Sequence, residues 1–331
     1  MTQVAHKPAP APRAARADVP ALSRTPSFFF NGFAPRRRAL VLLVGALFGF
    51  ALTVVWSAQF VDKTIGDNVA DTLLGHAAKG TAITGTLAGV AFALATGIAG
   101  TFTACNIAVF SALAPLAGTS ATRRGRMAAA LRPLGFLAAG ALAVSALYGV
   151  VVALVGTSMP QFQTSSSGAG FSPRLVQAMV VYGLIGLVMT YLGLAAAGVV
   201  RDPLARLTAR FPNAPMVVMG ALIGGFLIGR PFALFRQLFQ DAARSHNVFY
   251  GAAVFSLQTL GNILIVGLLF LLVTGILGDR LHRWLVAKPS RASAVMAAAF
   301  VAAGVFMILY WDVRMLARRD LIWYPLAPWA A

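Results

Sequence analysis

The chain carries a succession of apolar runs long enough to cross a lipid bilayer, and nothing constrains its fold more. A transmembrane helix needs about 20 mainly apolar residues. Runs of that kind stand at residues 39–60, 81–117, 127–156, 174–200, 215–239, 248–277 and 292–311. Inside a bilayer no water is present to satisfy backbone N–H and C=O groups, so such runs have to be helical. The expected fold class is all-α and integral to a membrane, with about seven transmembrane helices.

Composition agrees. The 331 residues are 59% hydrophobic and 11% charged, far from the balance of a soluble globular chain. In a soluble domain a net charge of +18 would point to nucleic acid. Here Lys and Arg lie in the N-terminal tail and in short stretches between apolar runs, so the expected partner is membrane lipid and not nucleic acid. Arg36, Arg37 and Arg38 precede the first run. Further clusters are Arg123, Arg124 and Arg126, then Arg201, Arg206 and Arg210, then Arg280, Arg283, Lys288 and Arg291. The intervening connections are poorer: residues 62–79 are nearly balanced and 157–172 carry no charge. Because basic loops stay inside, the alternation predicts a multi-pass protein of the cell (inner/plasma) membrane, N-terminus cytoplasmic and C-terminus outside. Arg314, Arg318 and Arg319 run against this pattern, offset in part by Asp312 and Asp320.

The segments follow from the same reading. Residues 1–38 form a disordered basic cytoplasmic tail and 39–60 an N-terminal transmembrane anchor. Residues 81–200 and 215–311 each hold three spans, and 312–331 form an outer tail in which Trp323 and Tyr324, with Trp311, suit an interfacial belt.

Several chemistries are disfavoured. The chain has no glutamate, and its nine aspartates (18, 62, 67, 71, 202, 241, 279, 312 and 320) lie outside or at the margins of the apolar runs. A proton relay through buried carboxylates is not expected. A single cysteine and four scattered histidines leave no intrachain disulfide, no metal site and no cofactor motif to read. No Ser/His/Asp arrangement, Walker loop or dinucleotide fingerprint is present.

Two runs are unusual. Residues 81–118 as one straight helix would measure ~57 Å, nearly twice the hydrocarbon thickness. The run contains Gly97, Gly100 and a polar patch, so a break is expected. Residues 215–239 contain Gly229-Arg230-Pro231, where proline removes a backbone donor and arginine puts a charge in an apolar segment; a second break is expected. The two lie three spans apart, each opening a three-helix block. An odd number of spans per block inverts the second copy, which gives an inverted 3+3 repeat with two broken helices. Matching interruptions in inverted halves point to a site near the midplane.

The stretch Gly97-Ile98-Ala99-Gly100-Thr101-Phe102-Thr103-Ala104-Cys105-Asn106, followed by an apolar half-helix and Pro115, resembles the first cysteine-bearing broken helix of the CcdA/DsbD transmembrane family. The stretch from Gly224 to Phe232 resembles the second copy. The resemblance covers roughly residues 81–311 at the level of layout, with short local motifs. It implies a role in cytochrome c biogenesis or in passing reductant across the membrane by thiol-disulfide exchange, with a thioredoxin-like protein or another thiol-bearing membrane subunit as partner. In this chain Ala104 stands where the family has proline, and Phe232 where it has its second cysteine. One cysteine can form a mixed disulfide, and a partner thiol has to resolve it.

On this reading Cys105 is the reactive group, or else a small buried hydrophobe. Arg230 faces the cavity as counter-charge for a thiolate or an anionic substrate, or else reaches the outer interface. Gln258 and Asn262, four apart on one helix face, either line the cavity or bond neighbouring helices. Thr101, Thr103 and Asn106 can satisfy backbone groups freed by the break. Two other functions stay open: a secondary transporter or exporter of a small anion or metal species using Arg230, Asn262 and Gln258, and a non-catalytic scaffold subunit.

Overall fold

The computed structural model describes residues 33–57, 59–100, 123–163, 171–230 and 233–330. The described residues form helices and connections, with no strand among them. In chain order the helices are α1 (Arg38–Val55), α2 (Asn68–Leu74), α3 (Thr86–Ala99), α4 (Arg123–Val155), α5 (Pro173–Ala196), α6 (Ala205–Arg210), α7 (Ala214–Gly229), α8 (Ala233–Ser245), α9 (Val248–Val286), α10 (Ser290–Ile308) and α11 (Arg314–Ala317). A π-helical segment, Gln59–Asp67, leads into α2, and another, Leu309–Val313, joins α10 to α11.

Among the described residues, five stretches are long and apolar enough to cross a membrane: Arg38–Val55, Leu131–Ser158, Pro173–Ala196, Val248–Ile276 and Ser290–Ala317. Their outward faces carry rows of exposed leucine and valine, such as Leu264, Leu268 and Leu272 on α9 and Val180, Leu184 and Leu187 on α5. Water would penalise such rows, whereas lipid tails accept them. α7 and α8 count as a sixth crossing only when taken as one bent unit. α3 is apolar but has 14 residues, ~21 Å of helix. The remainder of its run, 101–122, lies outside the described residues.

The break expected in residues 215–239 is present and sharp: α7 and α8 meet at 84° across Arg230. The pattern of α8 explains why it does not continue α7. Leu234, Phe235, Leu238, Phe239, Ala242 and Ala243 form its buried face, while Arg236, Gln237, Gln240, Asp241 and Arg244 occupy the other. A helix of this kind lies across the end of a bundle more readily than through lipid. Its apolar face closes over α3, α4 and α9, where Phe235 and Phe239 pack with Tyr148, Phe162 and Phe255.

The long helices pack in the order α3, α9, α4, α7, α5, α10, α1, each against the next. Small residues set these contacts. A Cβ at Gly186 of α5 would lie 2.9 Å from the Gly304 carbonyl of α10, and one at Gly304 would lie 2.6 Å from the Gly186 carbonyl. On α1, a Cβ at Gly49 would lie 2.4 Å from the Ala302 carbonyl. In lipid, where apolar burial gives little drive, such close backbone approach is what holds helices together.

The contacts also fix the ends. Arg38, opening α1, donates to the Gly198 carbonyl just beyond α5, at 3.3 Å. At the other end α1 finishes beside Arg314, and Gln161 beyond α4 and Gln177 near the start of α5 both reach the end of α7. There a single arginine and the C-terminal segment cap α1. The Arg314 guanidinium, fully buried, donates to the carbonyls of Thr53 (2.9 Å), Trp56 (3.0 Å) and Ala330, and lies 4.9 Å from the Tyr310 ring centre. The Ala327 backbone N–H takes the Val54 carbonyl, and the Trp329 indole N–H takes that of Val55. Tyr324 pairs with the Thr53 hydroxyl. The carbonyls a helix end leaves orphaned are thereby met by a segment more than 250 residues away in sequence.

Candidate functional site

The site is built where α3 and α7 stop. Both helices end inside the bundle, so their last carbonyls need partners that water cannot supply. For α7 those partners come from neighbouring helices. The Tyr182 hydroxyl of α5 donates to Phe226 at 3.0 Å, and the Arg230 backbone N–H bonds Leu227 at 3.4 Å. The Ile228 carbonyl accepts from the Gln161 amide at 2.9 Å and the Gln177 amide at 2.8 Å, with the Tyr148 hydroxyl at 3.5 Å.

Arg230 sits at the C-cap of α7, 7% exposed, with its side chain turned to the end of α3. Its Nη2 donates to the carbonyl of Gly100, the C-cap of α3, at 2.9 Å. A Cβ at residue 100 would fall 1.8 Å from that nitrogen, so any larger residue would push the guanidinium from this position. A cation at the C-terminal ends of two helices opposes the negative ends of both dipoles, which lowers the cost of holding the charge away from water. The structure therefore buries Arg230 within the protein and joins the ends of α3 and α7 through it.

α9 passes the same point. Gly97 of α3 packs on the Gln258 carbonyl and on Gly261; a Cβ at Gly97 would lie 2.1 Å from that carbonyl. Gln258 is fully buried, and among the described residues neither end of its amide has a partner. Asn262, one turn further on, is 8% exposed and does have a polar contact. Thr259, between them, pairs with Ser145 of α4 at 2.6 Å. Cys105, Thr103, Thr101 and Asn106 lie outside the described residues, as do Pro231 and Phe232. Of the residues singled out from sequence, Arg230, Gln258 and Asn262 thus lie on the elements that meet near the end of α3.

Sequence reasoning passed over Gln161, Gln177, Tyr148 and Tyr182. Gln161 lies within the uncharged 157–172 connection and Gln177 just beyond it, and an amide beside an apolar run is a polar group in need of a partner. That signal was available, but the partner, a carbonyl on α7, was not.

Among the described residues no group of three or more His, Cys, Asp or Glu comes together. What the arrangement offers chemically is a buried cation and buried amides around the end of α3. Comparison with protein-family models, with curated proteins and with solved structures gives no significant match. Fold and surface define a helical protein with several membrane-length apolar helices, and the functional reading rests on the site itself.

Proposed function

We propose that the chain is a membrane conduit for reducing equivalents, resembling the CcdA/DsbD transmembrane family in layout and acting in cytochrome c biogenesis or another thiol-disulfide transfer through Cys105. The observation that carries the reading is the Arg230 guanidinium on the Gly100 carbonyl. It sets a buried cation at the end of α3, five residues before Cys105. A cation near a thiol favours the thiolate, which is the attacking species.

A balanced cycle needs two partners. The Cys105 thiolate attacks an acceptor disulfide, forming a mixed disulfide and releasing one acceptor thiolate, which takes up a proton. A thiolate of a thioredoxin-like donor then attacks the Cys105 sulfur and releases the second acceptor thiol. The donor's other thiol resolves the new mixed disulfide, so Cys105 returns reduced and the donor leaves as a disulfide.

The layout supports a seven-crossing, inverted-repeat reading. α1, α3, α4, α5, α7, α9 and α10 alternate in direction along the bundle. Exchanging α3 with α7, α4 with α9 and α5 with α10 carries the α3–α9 contact onto α7–α4 and leaves α4–α9 and α5–α10 in place, whereas the α5–α7 contact has no comparable counterpart between α10 and α3 among the described residues. The basic clusters at the start of α1, after α5 and around the α9–α10 turn gather at one end, which supports a cytoplasmic N-terminus.

Gln258 favours a second reading, transport of a small anion past Arg230, because a fully buried amide without a partner among the described residues is costly unless something binds it. One assay separates the two. For a thiol relay, Cys105→Ser abolishes reductant transfer in inverted membrane vesicles and Arg230→Lys lowers it less. For an anion pathway, Arg230→Lys is the more damaging change and Cys105→Ser is tolerated.

A further inference from the structure

A concavity, separate from the α3–α7 junction, opens between the start of α3, the end of α8 and the start of α9. Its volume is ≈ 520 Å³, within the range of small-molecule sites. Ile83, Val90, Phe249 and Ala253 supply an apolar wall, and Asp241, Tyr250, Ser245, Asn247 and Thr86 supply polar groups. Asp241 is the one acidic residue of the lining; Arg236 and Arg244 share its helix but do not line the cavity.

The carboxylate is positioned. The Tyr250 hydroxyl donates to Asp241 Oδ2 at 2.5 Å, and Asn247 caps α9 by accepting from the Tyr250 backbone N–H at 3.1 Å. Gly89 of α3 makes room for the ring, since a Cβ there would fall 2.0 Å from the hydroxyl oxygen. An ionised carboxylate has about four acceptor positions, of which the tyrosine occupies one. An aromatic ring beside a carboxylate within an apolar wall is the recognition chemistry of an ammonium group, which gains both ion pairing and cation–π attraction.

We propose that this cavity binds an ammonium group carried on an apolar body, with Asp241 as counter-ion and Tyr250 as its aromatic side. The proposal does not depend on the thiol reading. Phe249, part of the lining, is 88% exposed, so the cavity is open to its surroundings and the group can arrive on a lipid headgroup as well as on a free amine.

The test uses the full chain purified in detergent. Calorimetry with benzylammonium and its neutral counterpart benzyl alcohol reads the free-amine source, and native mass spectrometry after exposure to phosphatidylethanolamine or phosphatidylglycerol reads the lipid source. In at least one arm the ammonium-bearing probe is expected to bind about tenfold or more tightly than its counterpart, a difference of about 1.4 kcal/mol. Asp241→Asn, which keeps an acceptor for Tyr250, should erase that preference. Ala253→Phe, which fills the cavity from its apolar wall while keeping the Asp241 carboxylate, should lower binding of the same probe. Preference in the calorimetric arm alone assigns a soluble amine, and in the lipid arm alone a headgroup. Equal binding of charged and neutral probes in both arms, or a preference unchanged in Asp241→Asn, overturns the proposal.

Discussion

Two arginines held away from solvent do different work. Arg314 closes three carbonyls and faces the Tyr310 ring, so it acts as a clamp on α1 and the C-terminal segment. Hydrogen bonds to charged groups contribute about 1.5–3 kcal/mol each, and the carbonyls left behind would stay buried. Arg314→Leu is expected to cost about 3 kcal/mol or more, read as a lower thermal midpoint in detergent together with faster proteolysis after residue 318. Arg230 was legible from sequence because Gly-Arg-Pro interrupts an apolar run. Arg314 was not: among nearby arginines it reads as an exception to loop charge. Its burial depends on residues near 53 and 330 meeting, which no local pattern encodes.

At the scale of elements, the shared acceptor at Ile228 gives a sharper test than either donor alone. With Gln161 and Gln177 both on one carbonyl, either can be removed while the other keeps it satisfied. Gln161→Ala and Gln177→Ala are each expected to cost under about 1 kcal/mol, and the double variant more than their sum by about 1 kcal/mol. Additive losses in a double-mutant cycle of thermal stabilities would mean that the carbonyl is not shared. Between α5 and α10, Gly304→Leu has nowhere to put its side chain, because a Cβ would already lie 2.2 Å from the Thr190 hydroxyl oxygen. Overpacking of this kind costs about 1–3 kcal/mol, so a lower yield of monodisperse protein and a lower midpoint are expected. The break after α7 could be read from Pro231 and Arg230, but its angle could not. What turns α8 aside is the switch to an amphipathic pattern at Ala233, a signal masked when 215–239 is read as one apolar run.

For the whole molecule, the apolar runs sufficed to reveal an all-helical, membrane-suited architecture, because bilayer thickness fixes helix length independently of tertiary detail. Which helices touch was less accessible. The order α3, α9, α4, α7, α5, α10, α1 depends on glycines facing glycines across long sequence distances, as at Gly186 and Gly304. The candidate site was half legible: Arg230, Gln258 and Asn262 stood out as polar residues in apolar runs, while Tyr148, Gln161 and Gln177 serve the Ile228 carbonyl and Tyr182 that of Phe226, acceptors that only the fold brings to them. The most direct test of the proposed conduit is thiol trapping in intact membranes. Cys105 is labelled with permeant and impermeant maleimides, and mixed disulfides are sought on non-reducing gels after rapid acid quenching. The expected result is a labelled Cys105 and a mixed disulfide with a second protein, lost in Cys105→Ser. A thiol inert to both reagents with no adduct in any redox state would contradict the relay.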